Sequence, residues 1–321
     1  MSTKKLVLEI LEKNRNKNIS GEYIGQQLNL SRNSVWRSIN TLRKEGYRIE
    51  GATNKGYKLM AENDIISLEG ISPFLANQNS SDIWVYKTIE STNKEAKLMA
   101  INNAPHGRVI ISDEQTMGKG RFGRDFFSPS NSGIYMSFIL RPDNMNVNPT
   151  AITAYAAVKV CQVIENLCNL KPSIKWVNDI FLRGKKICGI LTEAITDCES
   201  NSVSAIILGI GINVFTKKEE FPEEIKEKSS SLYLDGTMAI TRNQIIGEII
   251  NSILGEDIPQ QAFIFEEYKK RLFILNQDIT VIQGKNEFIA KALDVNKHGH
   301  LVVQIPEGEI KEILSGEIRI F

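Results

Sequence analysis

A segment in which glycines alternate with cations is the strongest candidate for chemistry in this 321-residue chain. It reads Asp113-Glu-Gln-Thr-Met-Gly-Lys-Gly-Arg-Phe-Gly-Arg124 and directly follows a strand-like run at 108–112. Glycines allow backbone N–H groups to approach an anion closely, and Lys119, Arg121 and Arg124 add positive charge. The pattern therefore indicates a site for phosphate or for a developing pyrophosphate. A mobile surface loop and a second nucleic-acid contact are equally compatible with it.

Several other kinds of site are not expected. The segment lacks the GxxxxGK[ST] spacing of a P-loop and lacks a GxGxxG that leads into a helix, so neither a P-loop NTPase nor a Rossmann cofactor site is predicted. The cysteines form no CxxC pattern and the histidines are scattered, which predicts neither a disulfide framework nor a metal site. These residues are Cys161, Cys168, Cys188, Cys198, His106, His298 and His300. Cys161 and Cys168 fit a buried helix, and the last two histidines flank a glycine and fit a turn.

Four islands of polar residues or glycines interrupt the surrounding pattern. They are Ser91–Asn93, Lys175–Asp179, Lys185–Glu193 and Gly209–Asn213. Each has an ordinary structural interpretation: in order, a helix cap, a turn between strands, a solvated lysine beside a strand, and a strand end where backbones pack closely. Taken singly, none of the islands predicts a function.

Both strands and helices are predicted around these islands. Strand-like runs occur at 83–86, 108–112, 134–140, 174–177 and 205–210, and helical patterns at 93–101, 149–167 and 240–253. This mixture predicts an α+β domain with one substantial sheet. The many small and aliphatic residues of 150–169 predict a helix packed against that sheet. From about Asn276 the pattern changes to short alternating runs at 279–282, 288–293, 301–304 and 318–321, which predict a small β-barrel.

The N-terminal residues predict a helix-turn-helix followed by a hairpin. Apolar residues fit a first buried helix, Ser20 and Ser31 are good N-caps for a second and a third, and Asn29 suits the left-handed residue that ends the second. Two short strands around 51–56 then predict a wing. The buried positions expected in the helices are Leu6, Leu8, Ile10, Leu11, Ile24, Leu28, Val35, Ile39 and Leu42.

Charge and polarity suggest that this N-terminal part binds DNA. Residues 1–60 hold 12 Lys and Arg against 5 Asp and Glu, whereas the remaining chain holds 27 against 33. Amides and cations on the outer face of the third helix can read base edges and contact phosphates. The residues expected to do so lie in the Gly21–Asn40 helix-turn-helix and after it: Arg32, Asn33, Arg37, Asn40, Lys44 and the wing residue Lys55. A three-helix protein-interaction module is the alternative, but charge, turns and wing together favour DNA.

No membrane attachment is expected. The chain has no run of eighteen apolar residues, and Met1–Lys5 leads into a periodic segment rather than into the apolar core of a signal peptide. We therefore expect a cytoplasmic protein.

Taken together and in order, the islands resemble the biotin–protein ligase and biotin operon repressor family, the BirA family. Its GRGRRGR signature, with an aromatic pair and Ser-Pro after it, resembles Gly118–Arg124 and Phe126-Phe-Ser-Pro129. Its KWPND element resembles Lys175-Trp-Val-Asn-Asp179, its KxxGIL strand resembles Lys186–Leu191, and its GIGIN resembles Gly209–Asn213. The resemblance covers nearly the whole chain.

The resemblance implies an α+β multidomain fold. It places a winged helix-turn-helix domain at 1–63, and a central α/β biotin/lipoate ligase-like catalytic domain with a mixed sheet at 64–271. An SH3-like β-barrel is expected at 272–321, as an aid to ATP and acceptor binding.

It also implies an adenylate-forming ligase that makes biotinyl-5'-AMP from biotin and ATP. Arg121 and Lys186 are the implied catalytic residues, because fixed cations stabilise charge on phosphate oxygens and on departing pyrophosphate. The implied contacts to biotin and to its adenylate are Ser91, Thr92, Asn93, Gln115, Lys119, Gly120, Arg121 and Lys186. A second tier around the adenylate comprises Gly118, Phe126, Asp179 and Asn213. Mg²⁺ is expected with ATP, but no protein metal ligands and no bound prosthetic group are expected.

The implied partners are a protein and a nucleic acid. The biotinyl group passes to a lysine of a biotin carboxyl carrier protein, of the acetyl-CoA carboxylase type. The winged helix binds operator DNA of the biotin operon, and biotinyl-5'-AMP is expected to order the Gly118–Arg124 loop and to favour a homodimer.

Four positions depart from the family pattern. Lys119 and Phe122 each replace an arginine, Val177 replaces the proline of KWPND and is expected to loosen that turn, and Phe126 replaces tryptophan but can still stack on adenine. None of these replacements affects the two implied catalytic cations, so the site is expected to be catalytically competent.

Three other functions compete with this one. An enzyme with a docking module in place of a DNA reader would show no salt-dependent, sequence-preferring operator binding. A biotin-responsive repressor without catalysis is disfavoured by the retained Arg121 and Lys186. A lipoate or octanoate transferase is disfavoured by the combination of winged helix, glycine–cation loop and terminal barrel in one chain.

Overall fold

The computed structural model divides the chain into two compact units. The residues that the structure describes are 2–52, 55–76, 82–141, 148–196, 202–234, 240–255 and 261–320. Unit 1 comprises Met1–Ser81 with Met238–Asn251, and unit 2 comprises Asp82–Thr237 with Ser252–Phe321. The three domain boundaries expected from the sequence stay a prediction.

Helices and strands alternate along much of the chain. The helices are α1 (Thr3–Lys13), α2 (Gly21–Leu28), α3 (Arg32–Lys44), α4 (Leu68–Ile71), α5 (Thr92–Ile101), α6 (Pro149–Cys168), α7 (Glu223–Lys226), α8 (Arg242–Leu254) and α9 (Gln261–Lys269). The strands are β1 (Ile49–Ala52), β2 (Gly56–Leu59), β3 (Ile83–Ile89), β4 (Val109–Gln115), β5 (Gly133–Leu140), β6 (Ser173–Lys175), β7 (Asp179–Leu182), β8 (Lys185–Thr196), β9 (Val203–Asn213), β10 (Asp278–Gln283), β11 (Asn286–Val295), β12 (Leu301–Gln304), β13 (Ile310–Ile313) and β14 (Glu317–Ile320).

Unit 1 contains the expected helix-turn-helix. The Ser20 side chain accepts a hydrogen bond from the Tyr23 backbone N–H at 3.0 Å, and Ser31 accepts one from Ser34 at 3.2 Å, so both predicted N-caps are present. Asn29 ends α2 in the left-handed conformation, with φ 53°. The buried stripe of α3 is confirmed, but α1 buries a slightly different set than expected: Val7, Leu8 and Leu11, with Leu6 and Ile10 only partly covered.

The wing is an antiparallel pair of β1 and β2 that is attached to the turn before α2. Tyr57 and Ile19 exchange two backbone hydrogen bonds, each 2.8 Å long. Gly56 has φ +81°, and a Cβ there would lie 2.1 Å from the carbonyl oxygen of Ile19, so only glycine fits. Residues 53–54 of the predicted hairpin lie outside the described residues.

Unit 2 is built on a mixed sheet with the strand order β3-β4-β5-β9-β8-β7-β6 among the described residues. The β3–β4 pair is parallel and the other pairs are antiparallel. All side chains of β5 are buried. α5 packs on β4, β5 and β9 through Ala96 and Ala100. α6 packs on α9 and, as its small and aliphatic composition predicted, on the sheet, where its main partner is β8.

The C-terminal strands form an antiparallel sheet with the order β13-β12-β11-β10-β14. Within the described part of the chain its two edge strands are not paired with each other, so the closed barrel expected from the sequence is not confirmed. The turn between β11 and β12 contains His298 and His300, as predicted. There the Asn296 side-chain oxygen accepts from the backbone N–H of His298 at 2.9 Å and of His300 at 3.0 Å.

One of the two cysteines that were expected to be buried in α6 is fully buried. Cys161 lies in the core as expected, and burial raises the pKa of its thiol to about 12, which keeps it unreactive. Cys198 lies outside the described residues.

Among the helices that the structure describes, none has the length and apolar character needed to span a bilayer.

Candidate active site

A cavity of about 400 Å³ in unit 2 brings the sequence islands together. Ten of the twelve predicted ligand-binding positions line it: Ser91, Thr92, Asn93, Gln115, Lys119, Gly120, Arg121, Phe126, Asp179 and Lys186. Of the other two, Gly118 contacts a lining residue, and Asn213 contacts Ser230, which follows the lining residue Ser229 in the chain. The Gly118 carbonyl accepts from the Phe126 N–H at 2.9 Å, and the Asn213 side chain donates to the Ser230 carbonyl at 3.1 Å. Residues far apart in the sequence therefore share one site.

A buried hydrogen-bond network forms the uncharged end of the cavity. The Thr92 N–H and hydroxyl both donate to Gln115 Oε1, at 2.8 and 3.1 Å. Gln115 Nε2 in turn donates to Ser128 at 2.9 Å, and Ser128 donates to the Phe126 carbonyl at 2.8 Å. Ser91 caps α5, as its simpler interpretation suggested. The network fixes the orientation of these polar groups before any ligand arrives.

Asn93 is held by hydrogen bonds to two strands and lies against a third. Its Oδ1 accepts from the Ser137 hydroxyl at 2.6 Å, and its Nδ2 donates to Glu193 at 2.7 Å. A Cβ on Gly209 would lie 2.1 Å from Asn93 Oδ1, which explains a glycine at that position of β9. Ser137 was missed by the sequence reasoning, although a lone serine in the apolar run of β5 was a signal for it. Being fully buried, Ser137 needs the partners that Asn93 and Thr92 provide.

Phe126 lies against the sheet where two strands carry glycine. A Cβ on Gly211 would lie 2.5 Å from the Phe126 ring, and one on Gly189 would lie 3.2 Å from it. The edge of the ring also meets Tyr135, with centroids 6.4 Å apart. The glycines of the KxxGIL-like and GIGIN-like segments therefore act by allowing close approach of side chains to the sheet.

Arg121 defines the positively charged end of the cavity. Its guanidinium donates to Asn178 Oδ1 at 3.1 Å and to the Gly316 carbonyl at 3.3 Å, and it lies 4.9 Å from the centre of the Phe122 ring. Burial lowers the pKa of Arg121, while the charge of Asp179 opposes that change. An arginine nevertheless stays cationic in a protein, so this is a fixed positive charge in a partly dry site.

Three of the other cations that line this end each have a carboxylate partner. Lys186 lies 2.7 Å from Asp179, Lys119 lies 2.6 Å from Asp125, and Arg124 forms a two-pronged pair with Glu317 at 2.9 and 2.5 Å. An arriving phosphate would compete with these carboxylates for the cations. Without a polyanion, the charges of these three cations are therefore balanced by carboxylates.

Four contributors to this end were not assigned from the sequence. Asn178 lies within a recognised island, and Lys175 lines the cavity with a pKa that burial lowers. Gly316 and Glu317 come from the segment that enters β14, and no local pattern could connect them with a loop nearly two hundred residues earlier.

The turn that contains Val177, which was expected to be loosened, is held by two hydrogen bonds. The Val177 carbonyl accepts a hydrogen bond from the Tyr268 hydroxyl at 2.9 Å, and Asn178 Nδ2 donates to the Ile190 carbonyl at 2.9 Å. The neighbouring departure at Phe122 is exposed and has φ 57°, so its ring extends away from the core of the loop.

A second candidate surface lies on α3 and the wing of unit 1. Its predicted contact residues are exposed, except Asn40, which is half-buried and accepts from Arg43 at 3.3 Å: Arg32, Asn33, Arg37, Asn40, Lys44 and Lys55. Arg32 also pairs with Glu22 at 2.6 Å. Trp36 is 53% exposed on the same helix and was not assigned from the sequence.

Three family models match the chain. The biotin/lipoate A/B protein ligase family matches residues 85–213, an HTH domain matches 3–58, and the biotin protein ligase C-terminal domain matches 274–320.

Individual relatives match over most of their length. The bifunctional ligase/repressor BirA of Bacillus spizizenii is 35% identical over 325 residues, covering 99% of this chain and 98% of that protein. The protein of the same name from Escherichia coli is 26% identical over 305 residues, covering 94% and 92%. Among solved structures, the biotin protein ligase from Aquifex aeolicus in complex with biotin and ATP matches with a TM-score of 0.62 and 27% identity, over 75% of this chain and 99% of that chain.

Proposed function

This chain belongs to the BirA family of bifunctional ligase/repressors, and we propose that it forms biotinyl-5'-AMP from biotin and ATP and then transfers the biotinyl group to a lysine of a biotin carboxyl carrier protein. It also acts as a biotin-responsive repressor through its N-terminal helix-turn-helix. One observation carries the ligase assignment: a single cavity joins a buried polar end to an end with fixed cations. That combination suits a ligand with an uncharged polar ring at one end and a phosphate ester at the other.

In the first half-reaction, a biotin carboxylate oxygen forms a bond to the α-phosphorus of ATP, and the bond between that phosphorus and the bridging oxygen breaks to release pyrophosphate. Negative charge grows on the phosphate oxygens and on the leaving group. Arg121, held by Asn178, and Lys186, held near Asp179, supply the compensating positive charge. From the loop that contains Arg121, Lys119 contributes its ammonium group and Gly120 contributes its backbone to binding of the reactants.

The two ends of the ligand are assigned to the two ends of the cavity. Ser91, Thr92, Asn93 and Gln115 hold the polar groups of biotin, because their network leaves donors and acceptors preoriented at the buried end. Phe126 stacks on the adenine, with Gly118, Asp179 and Asn213 supporting the nucleotide. The glycine-rich loop then shields the mixed anhydride from water.

In the second half-reaction, the acceptor lysine amine forms a bond to the biotinyl carbonyl carbon, and AMP leaves. The C-terminal strands assist because Gly316 and Glu317 contact the loop. Their antiparallel order and the family match to 274–320 support an SH3-like fold for this part.

Mg²⁺ is expected to enter with ATP and to neutralise phosphate charge. Three of the carboxylates that line the cavity, those of Asp125, Asp179 and Glu317, each pair with a cation. Carboxylates that are engaged in this way do not make a protein site for the ion.

The repressor function is assigned to α3 and the wing. Asn33 and Asn40 read base edges and Arg32, Arg37, Lys44 and Lys55 contact phosphates, in a cytoplasmic homodimer whose two winged helices bind paired operator half-sites. Biotinyl-5'-AMP favours this dimer. By linkage, the adenylate must then raise operator affinity at a fixed protein concentration, as measured by fluorescence anisotropy. Equal affinity with and without the adenylate would contradict this part of the proposal.

The test of the ligase proposal is biotin-dependent release of pyrophosphate from ATP. Lys186→Ala and Arg121→Ala should each lower the rate about a hundredfold or more, because one lost oxyanion-stabilising group costs roughly 3 kcal/mol. Lys159→Ala is the matched control, since that ammonium lies over the Tyr155 ring on α6 and not at the cavity. Release with lipoate but not with biotin would reassign the enzyme, and no release with either would indicate a ligand-sensing repressor without catalysis.

A further inference from the structure

The turn at Trp176–Asp179 controls both catalytic cations of the proposed reaction. Asn178 accepts from Arg121 at 3.1 Å, and Asp179 lies 2.7 Å from Lys186. A shift of this turn would therefore move the two positive charges together. What fixes the turn is thus a question about catalysis as well as about the fold.

Tyr268 on α9 is the first group that fixes it. Tyr268 is only 1% exposed, and its hydroxyl donates to the Val177 carbonyl at 2.9 Å. Burial raises the pKa of Tyr268 well above its ordinary value, so the hydroxyl keeps its proton and stays a donor. The edge of the ring meets Phe265, with centroids 6.5 Å apart, so its position is set by packing.

The second restraint comes from the turn between β11 and β12. The indole N–H of the buried Trp176 donates to the Gly299 carbonyl at 3.0 Å. Gly299 has φ +84°, and a Cβ there would lie 2.8 Å from the Phe265 ring. Phe265 thus contacts both the tyrosine that binds Val177 and the turn that binds Trp176.

Valine at 177 makes the hydrogen bond from Tyr268 more important in this chain. A proline ring at that position, as in the KWPND pattern, would itself restrict φ. Valine has no such ring, so the direction of the Val177 carbonyl depends on the groups that bind it.

We propose that Tyr268 is a positioning residue for adenylate formation, which orients Arg121 and Lys186 by holding the Trp176–Asp179 turn through the Val177 carbonyl. The proposal deepens the proposed ligase function and rests on it. Tyr268 itself does not line the cavity, so its effect must pass through the turn.

Tyr268→Phe tests this, because it removes the hydroxyl and keeps the ring. One neutral hydrogen bond is worth about 0.5–1.5 kcal/mol, so kcat for pyrophosphate release should fall roughly 2- to 10-fold, while KM for biotin stays within about twofold. Tyr155→Phe is the matched control: Tyr155 is 3% exposed and donates to the Ser252 carbonyl at 3.1 Å, away from the turn. Both variants should lose similar stability, but only Tyr268→Phe should lose kcat.

Two further measurements separate positioning from general stability. Val177→Pro in the Tyr268→Phe background should recover part of kcat, since the proline ring restrains the same turn. In a chain that carries Trp36→Phe and Trp84→Phe, the remaining Trp176 should become more accessible to acrylamide quenching after Tyr268→Phe and stay unchanged after Tyr155→Phe.

The outcomes distinguish this proposal from the function on which it rests. If the wild type releases no pyrophosphate, the ligase proposal fails, and Trp176 quenching still decides whether the hydroxyl holds the turn. Wild-type kcat together with unchanged Trp176 quenching in Tyr268→Phe would overturn the positioning role. An equal loss of kcat in both tyrosine variants would also overturn it, because the loss would then reflect stability alone.

Discussion

At the scale of single residues, the site depends on where side chains are missing. Gly189 pairs with Gly211 and Leu191 pairs with Gly209 across β8 and β9. This register creates a bare area of sheet on which Phe126 and Asn93 lie. None of these three glycines has a positive φ, so the reason for glycine here is space above the backbone.

Gly209→Ala and Gly211→Ala should therefore impair the binding of different substrates. The first places a methyl group 2.1 Å from Asn93 Oδ1 and the second places one 2.5 Å from the Phe126 ring. Overpacking costs about 1–3 kcal/mol, so we expect roughly a tenfold or greater rise in KM for biotin in the first variant and in KM for ATP in the second. Steady-state kinetics with each substrate varied in turn measure both values. The same rise of both KM values in both variants would contradict the assignment of Asn93 to biotin and Phe126 to ATP.

At the scale of elements, α3 and the wing are joined. Arg43 on α3 donates from Nε to the Ile49 carbonyl of β1 at 2.9 Å. The capping bond at Ser31 fixes where the helix begins, and the buried stripe fixes which face is turned outward. The residues that face outward therefore do so because of local chemistry and the core of unit 1.

Arg37→Ala and Asn33→Ala should weaken DNA binding in different ways. Loss of the Arg37 charge removes a phosphate contact, so affinity should fall for every DNA sequence. The slope of log binding constant against log salt concentration should become shallower by about one. Asn33→Ala should reduce discrimination between operator and unrelated DNA by about 1–3 kcal/mol. Anisotropy titrations over a range of salt concentrations measure both effects. Lys13→Ala on α1, where Lys13 pairs with Glu9, is the control and should change neither.

At the scale of the whole molecule, unit 1 encloses charges that DNA binding does not use. Glu12 is buried and pairs with Arg15 at 2.6 Å, while Arg242, 1% exposed, pairs with Asp64. One carboxylate oxygen of Glu12 has no hydrogen-bond partner among the described residues. Burial raises the pKa of Glu12 and of Asp64, and the neighbouring arginine opposes the rise in each case.

Glu12→Gln should change how stability depends on pH. Because the folded state binds the Glu12 proton more tightly than the unfolded state does, this carboxyl lowers the unfolding free energy as pH rises from its ordinary pKa of 4.5 through its raised folded value. The amide does not titrate, so the variant should gain stability relative to wild type over that rise in pH. Urea unfolding at several pH values from about 4 to 8 measures the difference. A constant difference across that range would contradict a raised pKa for Glu12.

Local elements were predictable because their signals are local. Ser20, Asn29 and Ser31 end or begin helices through bonds to backbone groups three or four residues away. The apolar run of β5 and the small residues of α6 likewise correspond to their buried positions. The C-terminal strands were also expected, but whether their sheet closes depends on pairing between the two edge strands, which no run of alternating residues specifies.

The sequence alone determined the helix-turn-helix, the wing, the main strands, and the islands that resemble a biotin–protein ligase, because caps, periodicity and motif spacing act over a few residues. Only the tertiary structure decided that Ser137 supports Asn93, that Gly316 meets Arg121, and that Tyr268 holds the Val177 turn. Those contacts join residues from 44 to 195 positions apart. They exist because the sheet and its helices pack in one arrangement, and the energy of that packing is not contained in any short segment.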